Sequence, residues 1–243
     1  MRLLGVRPNP AFYAAHHVMP GPGEAPAGLT GDAFHRFWSG ALQDLLAPGE
    51  LPPAGSLLER SLLGIADVVG RGAAIRRPIQ TVASWAGQSI LAQLEGEAAA
   101  ALSATGRANH GKRNSPVGEA AVDTLAAPAV ATWVGRQAGV VVDGPRCATY
   151  IGYAGEGPGL GVHLDKPGFG AVNLLVCLRR ERAANPRHRP STTFFFTPGV
   201  GLECFDLWPG DCLIFDGTRT PHGRSPLRSG DEMTLLSVGF AQG

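Results

Sequence analysis

The sequence predicts an α+β protein whose helices and strands are segregated, with a helical region over residues 1–140 and a β-rich core over 141–243. Three observations predict it. In the first part, apolar residues recur at helical spacing, and the breaks between them fall on Pro and Gly. In the second part, short β-branched and aromatic runs alternate with turns rich in Gly, Pro and Asp. Finally, two histidines and an aspartate sit at the ends of those runs, where strand ends aim side chains at a common point.

The helical region divides as follows. Phe34, Phe37, Trp38, Leu42 and Leu45 form an apolar stripe, so a helix is expected over about 32–46. Pro48, Pro52 and Pro53 stop it, and Ser56 is placed to cap a second helix reaching about Val69. A third, long helix is expected from about Ile79 to Ser103, favoured by the run of Ala at 98–101. A fourth is expected over about 118–137, bent at Pro128. Trp85 and Trp133 read as core anchors. Two polar loops stand out. Residues 105–115 carry His110 and basic residues between two helices, and 179–190 hold five Arg and one Glu. Both read as solvated linkers or as lids over a substrate, since active-site lids are often loops of this kind.

In the β-rich part, 147–153 is a strand and 154–159 a turn. His163-Leu164-Asp165 follows, then an apolar strand over 169–178. Residues 206–211 turn into the strand 212–215, and 216–222 bring the chain to His222, 57 residues after Asp165. A last apolar strand covers 233–240. Two imidazoles and one carboxylate can occupy one face of a metal ion and leave three positions open, the arrangement of non-haem Fe(II) oxygenases.

Residues 146–240 resemble the Fe(II)/2-oxoglutarate-dependent oxygenase superfamily, built on a double-stranded β-helix (jelly roll). The matching segments are YIGYAGEGPGLGVHLDKPGFGAVNLLVCL, PGDCLIFDGTRTPHGRSPL and GDEMTLLSVGF. The resemblance implies that His163, Asp165 and His222 hold Fe(II) and carry catalysis, with 2-oxoglutarate and O2 as co-substrates. Because Asp165 is present, it implies hydroxylation or a related oxidation rather than halogenation. Many relatives place an Arg about ten residues beyond the distal His to hold the co-substrate's far carboxylate. Here Glu232 and Met233 stand there instead. The candidates for that role are Arg228, preferred, Arg224, which shares a strand face with His222, and Arg146, with a hydroxyl from Thr193 or Tyr150. Arg suits the task because its planar fork meets a carboxylate with two hydrogen bonds.

Composition bounds the rest. A net charge of +1 provides no global field for nucleic acid or an acidic membrane. No apolar run approaches the ~20 residues of a membrane span, and the opening MRLLGVRPNP lacks the apolar stretch of a signal peptide. Cys147, Cys177, Cys204 and Cys212 show no CxxC spacing and read as buried, reduced thiols. Together these suggest a cytoplasmic protein. The 19 Arg against 2 Lys suggest a GC-rich bacterial genome. The expected substrate is a small molecule: an amino acid, peptide or natural-product intermediate, carboxylate-bearing if the basic loops meet it. Two alternatives stand beside this reading. One is a nucleic-acid or protein demethylase of the same superfamily, suggested by HGRSPL and the Arg-rich loop but disfavoured by the net charge. The other is a non-catalytic, cupin-like metal-binding jelly roll.

Overall fold

The computed structural model describes residues 31–46, 49–105, 112–155, 157, 159–182 and 190–243. The opening segment read for a signal peptide, His110 and most of the Arg-rich loop lie outside the described residues. Two helices come first, α1 (Gly31–Leu45) and α2 (Leu57–Val69). The Ser56 side chain caps α2 by accepting the Glu59 N–H at 3.1 Å. Strand β1 (Ile79–Val82) precedes α3 (Gln88–Ala104). The continuous helix expected over 79–103 is therefore corrected. Ile79 and Thr81 alternate with the more exposed Gln80 and Val82, and β1 pairs with a strand far along the chain, Ile79 opposite Ile214 and Val82 opposite Asp211. A period of two over four residues is too short to outweigh the long helical pattern that follows.

A second correction concerns the polar loop at 105–115. Its last residues open strand β2 (Lys112–Pro116), an edge strand of the large sheet. Polar edge strands carry little hydrophobic signal, because one side of their backbone and much of their side-chain surface faces water. Helices α4 (Glu119–Ala126) and α5 (Pro128–Ala138) follow, separated where Pro128 starts a new first turn.

The remaining strands are β3 (Val142–Ala154), β4 (Leu160–His163), β5 (Val172–Glu181), β6 (Thr193–Thr197), β7 (Gly201–Phe205), β8 (Asp211–Phe215), β9 (His222–Arg224) and β10 (Glu232–Gln242). They form two antiparallel sheets, of order β1-β8-β5-β10-β3-β2 and β4-β9-β6-β7. Facing sheets with this order make a double-stranded β-helix, the jelly-roll core expected from the sequence. β6 and β7, rich in Phe, complete the small sheet.

Three apolar clusters explain the hydrophobic pattern. Leu175, Cys177, Phe195, Leu213, Phe215 and Leu235 meet between the sheets. Leu174, Val176 and Leu178, on the other face of β5, pack against Leu94, Ala98 and Leu102 of α3 and Trp133 of α5. Phe194 and Phe196, on the outer face of β6, pack against Trp38 and Leu42 of α1 and Leu62 of α2. Helices thus cover both outer faces. That is why β5 and β6 read as unbroken apolar runs rather than alternating ones. Trp85 and Trp133 meet edge to face at 6.3 Å, and the Trp133 indole donates to Ser84.

Candidate metal centre

The open end of the sandwich gathers the histidines and the aspartate. β4 pairs with β9 so that His163 stands directly opposite His222, and Asp165 follows two residues past the end of β4. One ligand atom from each of the three can be chosen so that all lie within 4.8 Å of one another. His163 Nε2 is 3.5 Å from one Asp165 oxygen, and His222 Nε2 is 3.7 Å from the other.

Hydrogen bonds set the tautomers. His163 Nδ1 lies 2.9 Å from the Gly161 carbonyl, and His222 Nδ1 lies 2.9 Å from the Thr220 carbonyl. A carbonyl only accepts, so both Nδ1 atoms carry the proton. Both Nε2 lone pairs are left facing Asp165, as a metal requires. The His222 ring is also fixed by packing, stacked on Phe195 at 5.7 Å and edge-on to Phe215 at 5.0 Å.

Asp165 is held as firmly. Its backbone N–H donates to the Gly217 carbonyl at 2.7 Å, and Asn173 donates to its side chain at 2.9 Å. The Asn173 oxygen in turn accepts the Gly217 N–H at 2.8 Å. Position 217 has no room for a side chain, since a Cβ there would collide with the Asp165 carboxylate. From the other side, α1 grips the residue between the ligands. His35 Nε2 donates to the Leu164 carbonyl at 2.7 Å, and Ser39 accepts the Leu164 N–H at 3.4 Å. Asn173, Gly217, His35 and Ser39 were not legible as site residues. The one signal was that Asn173 is a polar residue inside an otherwise apolar strand. Asn173→Ala is expected to weaken divalent-metal affinity roughly 10–100-fold, the usual effect of losing an outer-sphere partner. Calorimetric titration of Mn(II) checks this, and unchanged affinity would remove Asn173 from the site.

The electrostatics favour a cation. Burial raises the Asp165 carboxyl, but His222, His163 and Lys112 outweigh it and hold it down at about 2. Burial depresses His222 and the nearby His163 adds to this, bringing His222 to about 4 despite Asp165. At neutral pH the site therefore offers an ionised carboxylate and a neutral His222, ready to ligate with little proton release. The metal-free fold should lose stability as pH falls. His222 takes its proton in the unfolded chain near 6.5 but in the fold only near 4, so stability drains across that window. Asp165 extends the loss from 3.8 down toward 2. The slope is at most about 1.4 kcal/mol per pH unit for each proton. Melting temperatures from pH 7 to 5 should fall more steeply in the wild type than in His222→Gln.

The triad opens into a cavity of about 240 Å³, lined also by Lys112, Asn114, Thr149, Ile151, Tyr153, Thr193 and Arg224. Arg224 is 2% exposed and donates to Thr193 Oγ1 at 2.7 Å. It lies over the Tyr153 ring at 5.4 Å. Its Nε has no hydrogen-bond partner, and Arg224 makes no ion pair among the described residues. Burial lowers its pKa to about 10, so it remains a cation at neutral pH. A buried guanidinium with spare donors calls for an anionic guest.

Of the residues expected at the site, the structure brings together His163, Asp165, His222, Arg224 and Thr193. It sets Arg228 and Tyr150 elsewhere. Arg228 lies beyond the end of β9, in a surface groove with Glu50, Thr192 and Cys204. Tyr150 is on the opposite face of β3, buried, where it donates to Glu97 at 2.6 Å. Strand alternation sends Thr149, Ile151 and Tyr153 to the cavity, so Tyr153 is the hydroxyl-bearing neighbour of Arg224. A larger, shallow groove of about 700 Å³ between α5 and the start of β3 carries no comparable constellation. Three of the five Arg in the basic stretch are engaged within the protein. Arg179 pairs with Glu181, Arg180 with Asp206, and Arg182 with Asp206 while stacking on Trp208. They are not a free phosphate-tracking strip. No helix among the described residues is long and apolar enough to cross a membrane.

A scan against protein-family profiles finds no match, and neither does a search of curated proteins. Solved structures do match. A Pseudomonas putida prolyl-4-hydroxylase is similar over 74% of this chain and 100% of its own, at 14% identity and a TM-score of 0.53. A prolyl hydroxylase from Trichoplax adhaerens, solved with a hypoxia inducible factor peptide, covers 77% of this chain and 94% of its own, at 14% identity and a TM-score of 0.53. The non-heme alpha ketoglutarate dependent epimerase SnoN, from nogalamycin biosynthesis, covers 70% and 81%, at 16% identity and a TM-score of 0.51. The chain thus has the double-stranded β-helix fold that these hydroxylases and this epimerase share.

Proposed function

We propose that this protein is an Fe(II)- and 2-oxoglutarate-dependent oxygenase that hydroxylates or otherwise oxidises a small molecule. The observation that carries the reading is one cavity holding both parts such an enzyme needs. At one end are three metal-ligand side chains with their lone pairs converging. At the other is a buried Arg with no ion pair among the described residues. The fold shared with known 2-oxoglutarate enzymes supports it.

His163, Asp165 and His222 would hold Fe(II) on one face and leave three positions for co-substrate and O2. Bound there, Fe(II) supplies the oxidising chemistry, with 2-oxoglutarate converted to succinate and CO2. Arg224, with Thr193 and Tyr153 beside it, would receive the far carboxylate of 2-oxoglutarate and so fix which end of the molecule meets the metal. Leu175, Phe215 and Leu235 wall the cavity with apolar surface and limit water around the reacting groups. Asn173 and the Gly161 and Thr220 carbonyls keep the ligands in their binding form.

The substrate class, an amino acid, peptide or natural-product intermediate, is supported by analogy with the hydroxylases and the epimerase that share the fold. The test is anaerobic titration of Fe(II) with and without 2-oxoglutarate, followed by the visible charge-transfer absorption of a chelated complex. Succinate formation is then assayed after O2 is admitted. Absorption that needs both components, together with slow succinate release, is expected. Iron bound without any effect of 2-oxoglutarate would overturn the co-substrate and favour a cupin-like metal protein.

A further inference from the structure

We propose that Lys112 and Asn114 form the docking point for a carboxylate on the substrate that is oxidised. This deepens the oxygenase reading and rests on it. β2 is the outermost strand of the large sheet. Its register sets Lys112 opposite Tyr153 and Asn114 opposite Ile151 on β3, and alternation sends Arg113 and Ser115 the other way. Tyr153 and Ile151 both line the metal cavity, so Lys112 and Asn114 close its outer wall.

Lys112 is half-buried, yet it forms no ion pair and no side-chain hydrogen bond among the described residues. It lines the same cavity as Asp165, His163 and His222. A partly desolvated ammonium without a partner is unfavourable, and an incoming anion supplies what the protein does not. The cavity therefore holds two cations at different depths, neither of them in an ion pair among the described residues. Arg224 is fully buried and tied to Thr193 on β6. Lys112 is on the edge strand next to the exposed Asn114. The inner cation suits the co-substrate. The outer one suits a molecule that arrives from solvent over an assembled centre. One ammonium and one carboxamide match a singly charged carboxylate that takes one ionic and one neutral hydrogen bond. A phosphate dianion would call for more donors.

The experiment uses the full chain loaded with Mn(II) and saturated with 2-oxoglutarate. Mn(II) is stable in air and speeds the proton relaxation of any molecule held near it. The probes are matched pairs of N-acetyl amino acids and their primary amides. Some acids should show saturable relaxation, with their amides weaker by about tenfold or more, the size of a charge-assisted hydrogen bond. Lys112→Met should abolish the difference between acid and amide, and Lys112→Arg should restore most of it. Both variants should keep 2-oxoglutarate affinity within about twofold of wild type, a change under 0.5 kcal/mol. The proposal is overturned if Lys112→Met weakens 2-oxoglutarate as much as it weakens the acids, which would assign Lys112 to the co-substrate. It is also overturned if no acid binds, or if acids and amides bind alike in the wild type. Failure to hold Mn(II) or 2-oxoglutarate, seen before any probe is added, would sink the parent reading and this one together.

Discussion

His163→Ala, Asp165→Ala and His222→Ala are each expected to lose metal binding and turnover while the chain stays folded. The loss should exceed the roughly 10–100-fold that follows removal of an outer-sphere partner, because a ligand itself disappears. His163 and Asp165 are partly exposed at the cavity, so their truncation opens no cavity in the core. His222 is enclosed by Phe195 and Phe215, so its replacement should also lower the melting temperature by a few degrees. Metal titration and circular dichroism on the same samples separate the two effects. Any of the three variants that binds Fe(II) like the wild type would remove that residue from the ligand set.

Arg224→Met should produce the second-largest effect, and in an unusual combination. Affinity for 2-oxoglutarate should fall by about a hundredfold, the scale of a lost charge-assisted pair, with Fe(II) affinity unchanged. The metal-free variant should be as stable as the wild type or more so. A buried cation without a counter-ion costs stability, and an isosteric apolar side chain avoids that cost. A residue that is merely structural would do the reverse. A destabilised variant with normal 2-oxoglutarate binding would show that Arg224 belongs to the core, and would reopen the search for the co-substrate's cation. Thr193→Val in the same assay should give a smaller loss, since the hydroxyl acts beside the guanidinium and partly through it.

Some of this was legible from residue order alone. His163, Asp165 and His222 flank strands whose apolar pattern is strong, so both the strands and their end positions could be read. Arg224 was legible as a face-mate of His222 by alternation. Arg228 is the cation the sequence favours, yet the chain leaves the cavity wall after β9 and carries it to a surface groove. Tyr150 and Tyr153 differ only in parity. Nothing in the run CATYIGY indicates which face meets the core helices and which meets the cavity, because both faces are covered.

The sequence by itself determined the α+β class, the jelly-roll core and the type of chemistry that His163, Asp165 and His222 suit. These follow from periodicity, turn residues and ligand identity, all of which are local along the chain. The tertiary structure alone decided that β1 and β2 are strands, since each is short, polar on one side and stabilised by partners far away in sequence. It alone placed Asn173, His35 and Ser39 around the HxD segment, and Lys112 at the mouth of the cavity. Which side chains share a cavity is a property of strand register and helix docking, and neither is written in any single stretch of residues.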